Sequence, residues 1–178
     1  MSPMSPMTSL SSLSRSARRG LVTALAAGLL AACAPKAPAG VEQAVLDEAI
    51  ATAIGDPTTC VLVAERDSGK VVYRYNSHVS CGRGYPVCRG AGVRSTDELL
   101  KASLTGETVM ASCPTTADGS RSVGWAAGPV GEGGEGRTKY VYAAVMEGEK
   151  AVPGRVMAAR LSKAFRKAGL IAPEPISP

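Results

Sequence analysis

The chain has one histidine, His78, and none of its five cysteines stand at C-x-x-C spacing. A zinc site usually shows tighter clustering of ligands than this, so no metal and no cofactor is expected. Long apolar runs are missing too: the segment from Leu21 to Leu30 is far too short to cross a bilayer as a mature helix. Acids are absent from the first thirty-two residues, which hold Arg15, Arg18 and Arg19. Without that segment seventeen basic and fifteen acidic side chains remain, a formal +2 in place of the +5 of the whole chain. That balance leaves no footprint for nucleic acid.

What is present begins with those arginines, the short apolar run and then Leu30-Ala31-Ala32-Cys33. The arrangement resembles the processing site of a bacterial lipoprotein: a positively charged start, an apolar stretch, small residues and a cysteine that becomes the lipidated first residue. Arg18-Arg19 ahead of Gly20-Leu21-Val22 reads as part of the same charged start. Cys33 is followed by Ala34 and not by aspartate, which resembles the outer-membrane-directed lipoproteins of Gram-negative bacteria. The expected organisation is a signal over 1–32, a tether over 33–40 broken by Pro35 and Pro38, one domain over 41–172 and a tail over 173–178. The expected location is the inner leaflet of the outer membrane, facing the periplasm. The expected partners are the membrane itself, through the lipid, and peptidoglycan or another envelope protein.

Cys60, Cys81, Cys88 and Cys113 remain in the domain, and an even count in an oxidising compartment reads as two disulfides. Four cysteines allow three connectivities, and their spacing does not choose among them.

Val45, Leu46, Ala49, Ile50, Ala53 and Ile54 recur at helical spacing, with Glu42 in the first turn and Gly55 and Pro57 as the stop. Cys60 to Ala64 and Val71 to Tyr75, joined by Asp67-Ser68-Gly69-Lys70, read as a hairpin. Asn76 to Gly92 reads as an irregular loop held by its cysteines. Asp97 to Leu104 forms a short helix capped by Ser95 or Thr96, and Thr108 to Ser112 a short strand before the polar turn Thr115 to Ser120. Ser122 to Ala127 and Tyr140 to Met146 form a second hairpin, with Val141, Ala143 and Val145 on one face. The connection Gly128 to Gly136 has no following Lys-Ser/Thr and carries two acids, so it is a flexible loop and not a phosphate cradle. Pro153 opens a last helix with Met157, Leu161, Ala164, Phe165 and Ala168 in one stripe. Arg155, Arg160, Lys163, Arg166 and Lys167 then read as its solvated face, with a site for an anionic partner as the alternative. An antiparallel sheet must bury one face, and the two terminal helices are the available cover. The predicted class is α+β: about five antiparallel strands under N- and C-terminal helices, in two layers.

Val61 to Asn76, reading VLVAERDSGKVVYRYN, resembles the opening hairpin of the serine β-lactamase and penicillin-binding transpeptidase superfamily. Ser122 to Gly128, Tyr140 to Glu147 and Pro153 to Leu170 are similar to its closing hairpin and C-terminal helix. The resemblance covers about half of the mature chain and implies the α/β half of that fold. The catalytic parts differ. No S-x-x-K occurs, and Tyr85-Pro86-Val87-Cys88-Arg89-Gly90-Ala91 puts Cys88 at the family's serine and Ala91 at its lysine. The K-T-G strand is missing, with Ala111-Ser112-Cys113 in its place, and the stretch between Tyr85 and Glu107 is too short for the family's helical subdomain. Ser112 and Thr115 stand where its substrate-binding strand would lie, although Ser and Thr beside Pro114 also serve the local backbone. The resemblance thus implies a cut-down, non-catalytic relative with a binding or structural role.

It also implies a pairing. In its opening hairpin Cys60 lies opposite the end of the second strand, which favours Cys81 as partner. Cys88 and Cys113 then fall where nucleophile and K-T-G strand would meet, and their bridge closes the old site. An alternative rests on Ser77-His78-Val79-Ser80-Cys81-Gly82-Arg83, which resembles the S-H-G-C-x-R segment of L,D-transpeptidases. That reading makes Cys81 the nucleophile and His78 its base, in a cysteine enzyme acting on peptidoglycan.

The lipoprotein reading is checked at one atom. Cys33→Ser is expected to abolish lipidation and release the domain from the membrane fraction. A variant that stays membrane-bound with its signal still cut before residue 33 contradicts it.

Overall fold

The computed structural model describes residues 37–131 and 138–171, all within the compact unit Pro35–Pro178. The signal segment, Cys33, the start of the tether, the middle of the glycine-rich connection and the C-terminal tail lie outside the described residues.

Helix α1, Gln43–Ile54, buries Leu46, Ala49, Ile50 and Ile54. Glu42 stands at its N-cap without a side-chain bond, one position before the first turn expected for it. The helix stops at Gly55, whose N–H bonds Ala51 O, and Thr59 Oγ1 closes the end by donating to Ile54 O at 2.7 Å. Strands β1, Cys60–Glu65, and β2, Val71–Tyr75, form the expected hairpin. Asn76 follows at φ 74°, a left-handed position that asparagine tolerates. Its amide donates to Pro57 O and Thr59 O at 3.0 and 2.9 Å, which swings the chain back past the start of β1.

The segment expected to be irregular, Asn76 to Gly92, carries two short elements. Ser77 caps helix α2, His78–Gly82, by accepting from Ser80 N–H at 3.2 Å. Beyond it β3, Tyr85–Pro86, pairs with β4, Val93–Arg94, and helix α3, Thr96–Leu104, starts from a capping box between Ser95 and Glu98. The strands β5, Val109–Pro114, β6, Ser122–Pro129, and β7, Tyr140–Gly148, complete the sheet, and helix α4, Gly154–Lys167, ends the domain. The class is α+β, with a five-stranded antiparallel sheet in the order β2-β1-β7-β6-β5 beside the two-stranded β3-β4 ladder.

Pleating sends alternate residues to opposite faces, and here both faces are apolar. Val61, Val63, Tyr142, Ala144 and Met146 pack under α1 and α4, with Tyr142 edge-on to Phe165 at 5.3 Å. Leu62, Ala64, Val141, Ala143, Val145 and Trp125 turn the other way and meet Leu99 and Leu100 of α3. The two-layer arrangement expected from the sequence is therefore corrected: α3 and the cysteine-tethered segment form a third layer. A central strand whose nine residues are all buried cannot leave one face to water.

The layer of α4 sits unusually close to the sheet. A Cβ on Gly154 would overlap the Trp125 carbonyl and lie about 2.5 Å from the Ala111 amide nitrogen, and one on Gly124 would overlap Val152 O. Gly154→Ala is expected to cost about 2–3 kcal/mol through this overlap, read as a lower urea midpoint. Gly82→Ala, which meets nothing within 4 Å, is the matched control and should leave the midpoint nearly unchanged.

Candidate functional site

The resemblance directs attention to the edge strand β5. Trp125, on β6 opposite Ala111, donates from Nε1 to Pro86 O at 2.8 Å and meets Tyr85 edge-on at 6.2 Å. This pins the 85–92 segment over the sheet. Cys88, at φ 63°, is bonded to Cys113 on β5, with the two Cα atoms 5.3 Å apart. Between that segment, β5 and α3 lies a cleft of about 390 Å³. Leu99, Val109 and Trp125 give it an apolar lining, and Arg89, Arg94 and Glu107 give it charge. Arg94 Nη1 bonds Glu107 Oε1 at 2.7 Å, and Met110 on the strand edge is 47% exposed.

Cys88 and Ala91 both lie in the loop between β3 and β4, whereas the family's serine and lysine open a helix. The helix start on this face belongs to Ser95, three residues before Glu98. The Ser95 amide bonds Glu98 Oε2 at 2.8 Å and Glu98 N–H returns to Ser95 Oγ at 3.2 Å. The Ser95 amide, followed by its hydroxyl, holds the Glu98 carboxyl below its usual range. This pair caps a helix. A guanidinium offers hydrogen-bond donors and no acceptor, so Arg89 and Arg94 are suited to holding a ligand. Ala111-Ser112-Cys113 pair with Val123, Gly124 and Trp125, with Ser112 opposite Gly124 and exposed.

Cys60 and Cys81 form the second bridge, Cα to Cα 5.2 Å, and both are fully buried. His78 is exposed in the first turn of α2. In this arrangement Cys81 offers no thiolate for His78 to activate. The two bridges join the same cysteines as the pairing implied by the resemblance. Cys33 lies outside the described residues.

One cluster was not read from the sequence. Glu147 at the end of β7 is 7% exposed and takes a bidentate bond from Arg121, Nε to Oε1 at 3.0 Å and Nη2 to Oε2 at 2.8 Å. Thr115 Oγ1 donates to the same carboxylate at 3.0 Å, and Thr58 Oγ1 donates to Glu147 O. The loop after α1, the turn after β5 and the end of β7 are thereby tied at one residue, the first through its backbone carbonyl and the second through its carboxylate. The Arg121 bond, above the opposing burial, holds Glu147 below the usual carboxylate range. Thr115, expected either on a substrate strand or in a backbone role, instead supplies a side-chain bond to this carboxylate. Pairing Arg121 with Glu147 needs the β6/β7 register, Ser122 opposite Gly148, which no local pattern supplies.

Among the described residues no group of three or more His, Cys, Asp or Glu is placed to hold a metal, and no helix is long and apolar enough to cross a membrane. No family model, curated protein or solved structure matches the chain.

The Glu147 cluster sets an acid limb. Its folded pKa lies below the unfolded value, so its stabilisation is fully present above the unfolded pKa and is lost as pH falls through the folded one. Glu147→Gln is expected to lose about 1–3 kcal/mol near pH 7 and to show a shallower further loss between about pH 5 and pH 3. Urea midpoints across that range, native against variant, measure both. Parallel acid limbs would remove Glu147 from the account.

Proposed function

We propose that this chain is a non-catalytic, lipid-anchored protein of the cell envelope, a cut-down relative of the β-lactamase and penicillin-binding transpeptidase superfamily. Its role on this reading is binding or structural, with peptidoglycan or another envelope protein as partner, on the periplasmic side of the outer membrane. The observation that carries it is the bridge between Cys88 and Cys113. These residues stand where the resemblance puts the nucleophile and the K-T-G strand, and their sulfurs are joined to each other beside the cleft.

Two further features support the reading. The two segments that carry the resemblance are adjacent, since β1 pairs along its length with β7 and α4 follows directly. The cleft beside β5 combines apolar side chains with the exposed Arg89 and the Arg94–Glu107 pair, a lining for an extended peptide with a polar or anionic group. Acylation by a β-lactam requires a nucleophile, a base that takes its proton and a prepared oxyanion site. Cys88 in a disulfide supplies no nucleophile, and an arginine supplies no base.

The purified protein, incubated with a fluorescent penicillin and with nitrocefin, is expected to form no covalent adduct and to hydrolyse nothing above a boiled control. Alkylation before reduction should leave Cys60, Cys81, Cys88 and Cys113 unmodified. A stoichiometric adduct overturns the reading, and a Cys81 that alkylates without reduction moves it to a cysteine enzyme.

A further inference from the structure

Helix α4 concentrates one charge. Gly154–Lys167 carries Arg155, Arg160, Lys163, Arg166 and Lys167 and no acid. At helical pitch these five fall within an arc of about 140°, opposite the buried stripe of Met157, Leu161, Ala164 and Phe165. Arg155, Arg160, Lys163 and Lys167 are exposed, and Val156 within the same arc is 40% exposed.

Beside this face α1 presents only Ala49, Thr52 and Ala53, too short to fill the space below Arg160, Lys163 and Lys167. An open groove of about 430 Å³ remains. Arg160 leans across it and donates from Nη1 to Ala53 O at 3.2 Å. The acids of α1 do little to neutralise the arc. Glu48 lies 3.9 Å from Lys167 Nζ in an exposed, solvent-screened pair, and Asp47 accepts instead from the Tyr73 hydroxyl at 2.6 Å.

We propose that the α1–α4 layer docks on an anionic phospholipid surface, with the basic arc of α4 against the headgroup phosphates and Val156 at the interface. A helix face roughly 21 Å long, with cations spread along it, matches a flat, repeating negative surface. This layer is also the one the chain enters from its N-terminal side. A lipid on Cys33 is separated from Val41 by eight residues, at most about 27 Å of extended chain. That reach alone rests on the lipid-anchor reading; the charge match does not.

The test is amine labelling of the protein, as the cell produces it, with vesicles of phosphatidylglycerol or of phosphatidylcholine. On phosphatidylglycerol Lys163 and Lys167 are expected to label at least about fivefold more slowly than on phosphatidylcholine, the change expected from about one contact-strength cation per site. Lys70 in the β1–β2 turn and Lys101 on α3 should label alike on both, and about 0.5 M salt should abolish the difference. The double variant Arg155→Gln with Arg160→Gln should restore labelling at Lys163 and Lys167. Equal rates on the two vesicles, uniform slowing of all four lysines, or protection by inorganic phosphate alone each overturn the proposal. A chain that fails to attach to phosphatidylcholine yet is protected on phosphatidylglycerol supports it while removing the lipid anchor.

Discussion

The constraint on which this structure depends is a sheet that is apolar on both faces and has only thin material to cover one of them. β7 is paired on both sides, to β1 and β6, and is buried along its whole length. One face receives two amphipathic helices, α1 and α4. The other has the nine residues of α3, the five of α2 and the loops between them. Helices this short are unstable alone and take their stability from packing. Two cross-links compensate. They close sequence separations of 21 and 25 residues, each worth about 3 kcal/mol by restriction of the unfolded chain. Both fasten this same thin layer to the sheet, Cys81 to β1 and Cys113 of β5 to Cys88.

The parts legible in the sequence are those whose signal is local. Val71 to Tyr75, Tyr140 to Met146 and the Met157–Leu161–Ala164–Phe165 stripe announce themselves by period, and Ser95 with Glu98 by their three-residue spacing. The third layer was legible only in outline. Val61-Leu62-Val63 is a continuous apolar run, the pattern of a strand buried on both faces, and it carries that meaning only when something on the far side is found to cover it. α2 and the β3–β4 ladder have no period of their own; a bridge, the Asn76 bonds and the Trp125 indole hold them in place. The Arg121–Glu147 pair and the cleft at β5 are products of register and of loops meeting across the sheet, which composition does not encode.

Gly154 and Gly124 show how tightly the two helical layers are coupled through the sheet. The start of α4 rests on the carbonyl of Trp125 and the amide of Ala111, while the Trp125 side chain, on the opposite face, holds Pro86 over the cleft. Trp125 thus meets α4 through its backbone and the segment before Cys88 through its side chain. Both contacts rest on close packing on the two sides of β6.

This geometry gives the two proposed surfaces a consistent relation. The basic arc belongs to the α1–α4 layer and the cleft to the α3 layer, and the sheet lies between them. If α4 rests on anionic lipid, the cleft opens away from the bilayer, and the edge of β5 stays accessible to a partner in the aqueous compartment. An orientation with the cleft against the lipid would set Arg89 and the Arg94–Glu107 pair toward headgroup phosphates and leave the five cations of α4 in water, the less favourable arrangement on charge alone. On that arrangement lipid docking and ligand binding do not compete for one face.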